Sequence, residues 1–504
     1  MRRLLTFALL IVTLSAILVG VPTVTPATAT PRPVPASVER IPLRAVDATA
    51  LRALGSSQTS PAYLTAARTT RPFSVMGVTW RPDPAVGEVE VAIRHRSGGR
   101  WSDWTDVEAE GDDVPDADSA EARSRDYRAG SAPIWTGPSD GVQVRLDALS
   151  GATPRDVAIE LVDPGTSPAD ATVAAPRDTA HAEEPMPAIV TRAQWGADES
   201  IRRGSPSYNA TVKVGFVHHT ASSNDYTAEQ AAAMVRGIYA YHVKSNGWSD
   251  IGYNYLVDRF GRAYEGRAGG LDRFVMGAHT GGFNRDTVGV SLLGNFSTVP
   301  PSAATLGRLT DVLAWKLGTA YRDPLAEAVL TSAGGGTSKY SAGTKATFDV
   351  VSGHRDAGNT ACPGATTYAR MDQIRAQVAE KLGAGFVEPE FTGGTAHLRG
   401  SRGPVALSAR TLGALDWTST VSDSEGEVLQ TTSGATTGSE LVSTTWDLTD
   451  ENGRAVRPGT YVLRISGSRD GDRALPYAVE VVVKGIVCRG SPLERAKCKA
   501  VKRR

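Results

Sequence analysis

Cysteine is all but missing from this chain: Cys362, Cys488 and Cys498 are the only three among 504 residues. That excludes a disulfide-stapled scaffold, which packs several pairs into a far shorter chain. Net charge is missing too, with 54 acidic and 54 basic residues. The chain as a whole therefore carries no electrostatic footprint of a nucleic-acid partner. Long apolar runs are confined to the first residues, where the start MRR, the stretch Leu4 to Val19 and Ala27-Thr28-Ala29 read as a signal peptide over 1–29. A retained anchor is the alternative, but the run is short for a bilayer span and is broken by Gly20 and Pro22. The sequence thus predicts a secreted protein with no stable membrane span after cleavage. In that compartment a thiol oxidises unless it is paired or metal-bound.

Cys488 and Cys498 bracket part of a basic tail, 486–504, in which Arg495, Lys497, Lys499, Lys502, Arg503 and Arg504 face only Glu494. The tail reads as a frayed, solvated end, and the two cysteines are predicted to close a small disulfide loop with each other. The competing account pairs Cys362 with one of them.

Length suggests about three domains, and composition divides the chain accordingly. Residues 40–166 are β-rich: Val89, Val91 and Ile93 alternate with polar neighbours, as do Val142, Val144 and Leu146, then Val157, Ile159 and Leu161. A β-sandwich-like fold is expected, with Trp101 and Trp104 packing into its core rather than forming a sugar platform. "GPSDG" at 137–141 matches the pattern of a hydrolase nucleophile, but the alternating "VQVRL" that follows places the serine in a β-turn and excludes that role. Residues 167–187 and 385–396 read as linkers, so residues 188–384 are expected to fold alone. In 397–485, "WDLTDENGRAVRPGTYVLRI" has a turn at Asp450 to Gly453 and then Tyr461, Leu463 and Ile465 on one face. This stretch resembles the immunoglobulin-like module of the flagellar hook-capping protein, which implies a C-terminal Ig-like β-sandwich.

The middle segment interleaves strands and helices and predicts an α/β domain. "TVKVGFVHHT" reads as a buried strand, Thr227 with Gln230 as a capping box, Gly247 as the end of the helix that follows, Ser302 as the start of a second helix, and 366–382 as a third. "TSAGGGTSKYSAGTKA" at 331–346 reads as a surface loop. Five of the eight histidines lie between 218 and 354. His218 and His354 end strands, and Cys362 can fold back over Gly358 towards them. Two imidazoles and a thiolate suit a zinc that keeps an open position for water, although a histidine at a strand end is more often simply hydrogen-bonded.

"IVTRAQWGA" at 189–197, "VHHTA" at 217–221, "GWSDIGYNYLVDRFGRAYEGR" at 247–267, "GAHTGGFN" at 277–284, "VGVSLLGNF" at 288–296 and "GHRDAGNTACPG" at 353–364 together resemble the peptidoglycan recognition proteins and the zinc N-acetylmuramoyl-L-alanine amidases of the same fold. The resemblance implies a central α/β amidase domain, a mixed sheet with flanking helices. It implies Zn²⁺ held by His218, His354 and Cys362, with Tyr253 facing the attacking water and Thr360 assisting at the oxyanion. It implies substrate contacts from His279 and Asn284, supporting roles for His219 and His242, and Tyr255 packed inside on the opposite face of its strand. "RAGG" stands where diaminopimelate-preferring animal relatives commonly show Gly-Trp after the arginine, so the stem-peptide type is not indicated. The activity implied is cell-wall hydrolysis at the bond between N-acetylmuramic acid and L-alanine, with peptidoglycan muropeptides as partners. The rival is a sensor that binds without turnover; such relatives typically lack the cysteine.

Overall fold

The computed structural model describes residues 31–44, 46–54, 61–110, 113–173, 186–335, 338–393, 395–397 and 405–484. The expected leader at 1–29, the basic tail at 486–504 and the Cys488–Cys498 pair lie outside the described residues. Among the described residues no helix is long and apolar enough to cross a membrane.

Every residue of the strand Val214–His219 is buried. It pairs in parallel with Thr287–Leu292 on one side and Val351–Gly353 on the other. Central parallel strands are covered on both faces, which is why this one reads as a continuous apolar run. The six-stranded sheet runs Ile189–Val190, Ala263–Glu265, Tyr255–Val257, Thr287–Leu292, Val214–His219, Val351–Gly353. Only the pair Tyr255–Val257 and Ala263–Glu265 is antiparallel. In the register, Val217 faces Gly353. The next residues, His218 and His354, therefore leave the carboxyl ends of neighbouring strands side by side, where open α/β sheets place their ligands.

Ala303–Thr319 and Met371–Leu382 cover one face of the sheet. Ser302 Oγ caps the first by accepting from Thr305 N–H at 3.1 Å. The expected single helix over 366–382 is two, Ala365–Tyr368 and Met371–Leu382. The first turn is held back because Thr366 Oγ1 donates towards the Phe296 and Val299 carbonyls while the Tyr368 hydroxyl bonds Asp356. Nor is 331–346 wholly a loop: it is the tip of a hairpin between Glu327–Thr331 and Lys345–Asp349, pinned by Phe348 packing on Phe216, Phe283 and Tyr340.

The opposite face carries Ala228–Ala240, started by Gln230 Oε1 accepting from Thr227 N–H at 2.8 Å. Residues 231–240 of this helix are buried throughout, so it has no solvent face. The N-terminal domain explains this. Its antiparallel sheet, in the order Ser37–Pro42, Ala158–Asp163, Arg68–Trp80, Ile134–Ala148, Val89–Ser97, Arg100–Trp101, encloses its own core of Phe73, Val91, Val144, Leu146 and Ile159. It also donates Val75, Trp135 and Val162 to a second core shared with Trp195, Val235, Tyr239 and Tyr241. The Tyr241 hydroxyl donates to the Ser131 carbonyl at 3.0 Å. The two domains therefore share a core, and the face of 188–384 that carries Ala228–Ala240 is covered by the N-terminal domain.

At the start of the expected linker 167–187, Pro168–Thr172 forms a 3-10 turn capped by Ser167. Its Asp170 reaches the buried Arg236 at 2.7 Å. Trp101 and Trp104 are half-buried, not core, and sandwich the Arg94 guanidinium, 5.3 Å from each ring. Ser139 of "GPSDG" lies within the long strand Ile134–Ala148, opposite Phe73, rather than in a turn. Towards the C-terminus two sheets share one core, one of Gly385–Thr392, Val405–Leu412 and Leu441–Trp446, the other of Thr395–His397, Asp472–Lys484, Gly459–Arg469, Leu415–Asp423 and Val428–Thr436. Within the expected linker at 385–396, Gly385–Thr392 is strand and a second strand, Thr395–His397, begins.

Gly247 closes the helical stretch after Ser245 at φ +76°, and a Cβ there would lie 2.1 Å from the Asp126 carbonyl of the N-terminal domain. Gly247→Ala is expected to cost at least about 1–2 kcal/mol through the left-handed backbone alone. Denaturant melts check this; an unchanged midpoint would mean that the interface yields freely.

Candidate metal centre

His218, His354 and Cys362 converge at the strand ends, all three buried, with donor atoms within 4.8 Å of one another. Cys362 returns to the sheet through the short helix His354–Ala357 and Gly358. The Arg355 side chain pins the loop by donating to the carbonyls of Ala361 and Cys362. Cys362 Sγ lies 3.8 Å from His218 Nδ1 and accepts from His219 N–H at 3.3 Å.

A carboxylate from the N-terminal domain lies beside the two histidines. Asp113 Oδ1 sits 3.0 Å from His218 Nδ1 and 3.2 Å from His354 Nδ1, yet it is buried without a hydrogen-bond partner. Atoms that point at one common centre, not at each other, produce this pattern. Donors on one tetrahedral zinc would be roughly 3.3 Å apart for nitrogen and oxygen and about 3.6 Å for sulfur and nitrogen. The two imidazoles and the thiol, with donor atoms within 4.8 Å of one another, fit such an ion.

Burial pushes His218 down to about 3, so its imidazole is neutral, the form that binds metal. Asp113 is pushed upward by the same burial, against the opposing pull of His354 and the Tyr253 hydroxyl. Burial thus drives both the Asp113 carboxylate and the His218 imidazole towards neutrality. A divalent ion bound there would favour the ionised carboxylate and the neutral imidazole alike.

His279 is not on a cleft wall. It is fully buried beneath His218, with Nδ1 3.1 Å from His218 Nε2 and 2.9 Å from Thr280 Oγ1. If His218 offers its Nδ1 lone pair to a metal, its proton is on Nε2 and His279 receives it, which fixes tautomer and ring angle. The ring lies on Gly289, where a Cβ would come within 2.3 Å of it. Asn284 is buried too. Its Oδ1 accepts from His279 N–H at 2.7 Å, and its Nδ2 donates to the Val114 carbonyl and to Asp116 Oδ1.

The Tyr253 ring is 5.6 Å from that of His218, and its hydroxyl donates to Asp113 Oδ2 at 3.0 Å. Thr360 Oγ1 accepts from Cys362 N–H at 3.1 Å, bracing the loop that presents the thiol. His219 Nδ1 accepts from Phe296 N–H at 3.2 Å, and His242 stacks on Trp248 at 4.3 Å; both shape the surroundings. Tyr255 packs on the far side of its strand against Trp315. Asp113 escaped the sequence reading. The signal available was "EAEGDDVPDADSAE" at 108–121, an acidic run without periodicity inside an otherwise alternating β domain.

Fold and site together define an α/β domain that brings a histidine pair and a thiol to the carboxyl edge of a mixed sheet. Residues 208–365 match the family described as N-acetylmuramoyl-L-alanine amidase. Residues 25–185 match one described as Rv3811 N-terminal galactose-binding domain-like. Peptidoglycan-recognition protein SC2 of Drosophila simulans is 34% identical over 177 residues, 35% of this chain and 80% of that protein. Peptidoglycan recognition protein 1 of Bos taurus is 31% identical over 186 residues, 37% of this chain and 83% of that protein. Among solved structures, Drosophila PGRP-LB aligns at 24% identity over 36% of this chain and 92% of its own, with a TM-score of 0.29. The chain belongs to the family of peptidoglycan recognition proteins and N-acetylmuramoyl-L-alanine amidases.

Proposed function

We propose that this protein is a secreted, cell-wall-associated zinc amidase that hydrolyses the bond between N-acetylmuramic acid and the L-alanine of the stem peptide. The observation that carries the reading is Cys362 Sγ beside His218 Nδ1 and close to His354. Serine in place of that thiol would bind zinc poorly, and a binding-only protein has no need of the thiolate. The family membership supports peptidoglycan as the substrate class, and the leader-like segment at 1–29 supports export.

His218, His354 and Cys362 would hold the zinc, which supplies a Lewis acid for the scissile carbonyl and a water activated near neutral pH. His279 fixes the proton of His218 on Nε2. Tyr253 presents a hydroxyl beside the histidines and, once Asp113 is away, can donate to the attacking water or the developing oxyanion. Thr360 holds the Cys362 loop in place, and its hydroxyl, which bonds Glu108 here, would have to turn from that carboxylate to assist at the oxyanion.

Metal analysis of the purified chain and mass spectrometry of muropeptides incubated with it test the reading. Stoichiometric zinc and release of free stem peptide are expected; binding without cleavage would make it a sensor. Tyr253→Phe should retain zinc and lower turnover by about 10², read as kcat on soluble muropeptides. Unchanged kcat would place the donor elsewhere.

A further inference from the structure

Asp113 does two things at once. Oδ1 completes the arrangement around His218 and His354, and Oδ2 takes the Tyr253 hydroxyl. A metal site that works on substrate keeps one position open, whereas one with four protein ligands is closed. One carboxylate therefore lies against both histidine nitrogens and engages the hydroxyl that would act on a water there.

The residues after Asp113 hold it there. The Val114 carbonyl and Asp116 Oδ1 both engage Asn284 Nδ2, and Asp116 Oδ1 also accepts from the backbone N–H groups of Gly282 and Asn284 at 3.0 and 3.2 Å. Asp118 pairs with Arg285 at 2.8 Å. Glu121 pairs with Arg267 at 2.9 Å and caps Ser249 N–H. Pro115, Asp116, Asp118 and Glu121 line one cavity together with Arg267 and Arg285. An acidic segment, turned after Asp116, thus lies on basic side chains beside the metal centre.

We propose that Asp113 is a fourth, releasable metal ligand and that residues 113–121 form a strap that closes the centre in the resting protein. This rests on the amidase reading for its functional consequence, though not for the coordination itself. Opening requires only that the carboxylate leave and water enter. Because the strap is anchored mainly by ion pairs and hydrogen bonds, with Val114 and Pro115 its buried apolar residues, an anionic ligand competing for Arg267 and Arg285 would lift it.

The experiment uses the full chain loaded with zinc, or with cobalt for its visible spectrum, comparing wild type with Asp113→Ala. The variant should release zinc to a chelator about 10–100-fold faster, show an altered cobalt spectrum, and cleave soluble muropeptides at least several-fold faster. Asp118→Asn with Glu121→Gln, which touches no metal donor, should raise the cleavage rate while leaving the cobalt spectrum of the closed fraction unchanged. Identical zinc release and spectra in wild type and Asp113→Ala would overturn the fourth ligand whatever the activity. A changed spectrum with equal cleavage rates would overturn the strap and leave the amidase intact. A changed spectrum with no cleavage by any protein would uphold the ligand and refute the amidase reading instead.

Discussion

Cys362→Ser is expected to lose stoichiometric zinc and all measurable amidase activity while remaining folded. The thiol is 2% exposed and forms no disulfide among the described residues. Serine leaves two imidazoles, a neutral hydroxyl that ionises poorly, and the Asp113 carboxylate. Zinc then exchanges a thiolate for at best a weak oxygen donor. The fold should survive because the central sheet is built on apolar contacts among Val217, Val288, Val290, Leu309 and Leu313, which do not depend on metal. Circular dichroism should match wild type while metal analysis reads well below one zinc per chain. Retained zinc with retained activity would show that Cys362 is no ligand. Thiol titration of the denatured, unreduced protein gives an independent check, since a disulfide between Cys362 and the tail would leave no thiol at 362 in the wild type.

How much of this was written in the sequence depends on whether the cause is local. The strand Val214–His219 was legible because burial on both faces demands an unbroken apolar run, and the helix starts at Thr227 and Ser302 because capping is decided within four residues. The convergence of His218, His354 and Cys362 came from a family resemblance, since spacing alone fits many sites.

Gly385–Thr392 was misread for a physical reason. Glu388-Pro389-Glu390 looks like linker, yet these residues sit at a β-bulge between Val387 and Glu390, with Glu388 at φ +48°. Its N–H turns out of the ladder to the Tyr321 carbonyl at 2.8 Å, and a bulge is where a strand tolerates proline. Asp113 and Val75 were illegible because their patterns fit a free-standing β domain equally well; what they touch is decided by docking, which leaves no period in the sequence. His279 looked like a cleft residue because its block borders the cleft, but Gly289 on the neighbouring strand opens a space beneath His218 that only the fold reveals.

Asp170→Ala is expected to destabilise the joint between the N-terminal and central domains by about 3–5 kcal/mol, the cost of leaving a buried charge without its partner. Arg236 is 1% exposed. Its Nη1 and Nη2 meet the two Asp170 oxygens at 2.8 and 2.7 Å, and it also donates to the carbonyls of Pro164, Gly165 and Trp195. Those carbonyls keep the guanidinium hydrogen-bonded after the substitution but do not neutralise it, so the loss falls on the charge. Replacing both partners, Asp170→Ala with Arg236→Met, removes that charge and should recover part of the stability, which separates the ionic cost from lost packing. The first transition in calorimetry is the readout, expected to fall clearly in the single variant and less in the double. Equal transitions in all three proteins would show that the pair is incidental to docking. Because the same docking delivers Asp113 to the metal centre, the single variant should also release zinc faster than wild type at temperatures just below its transition. If it melts early yet holds zinc as wild type does, the strap stays in place without the domain behind it.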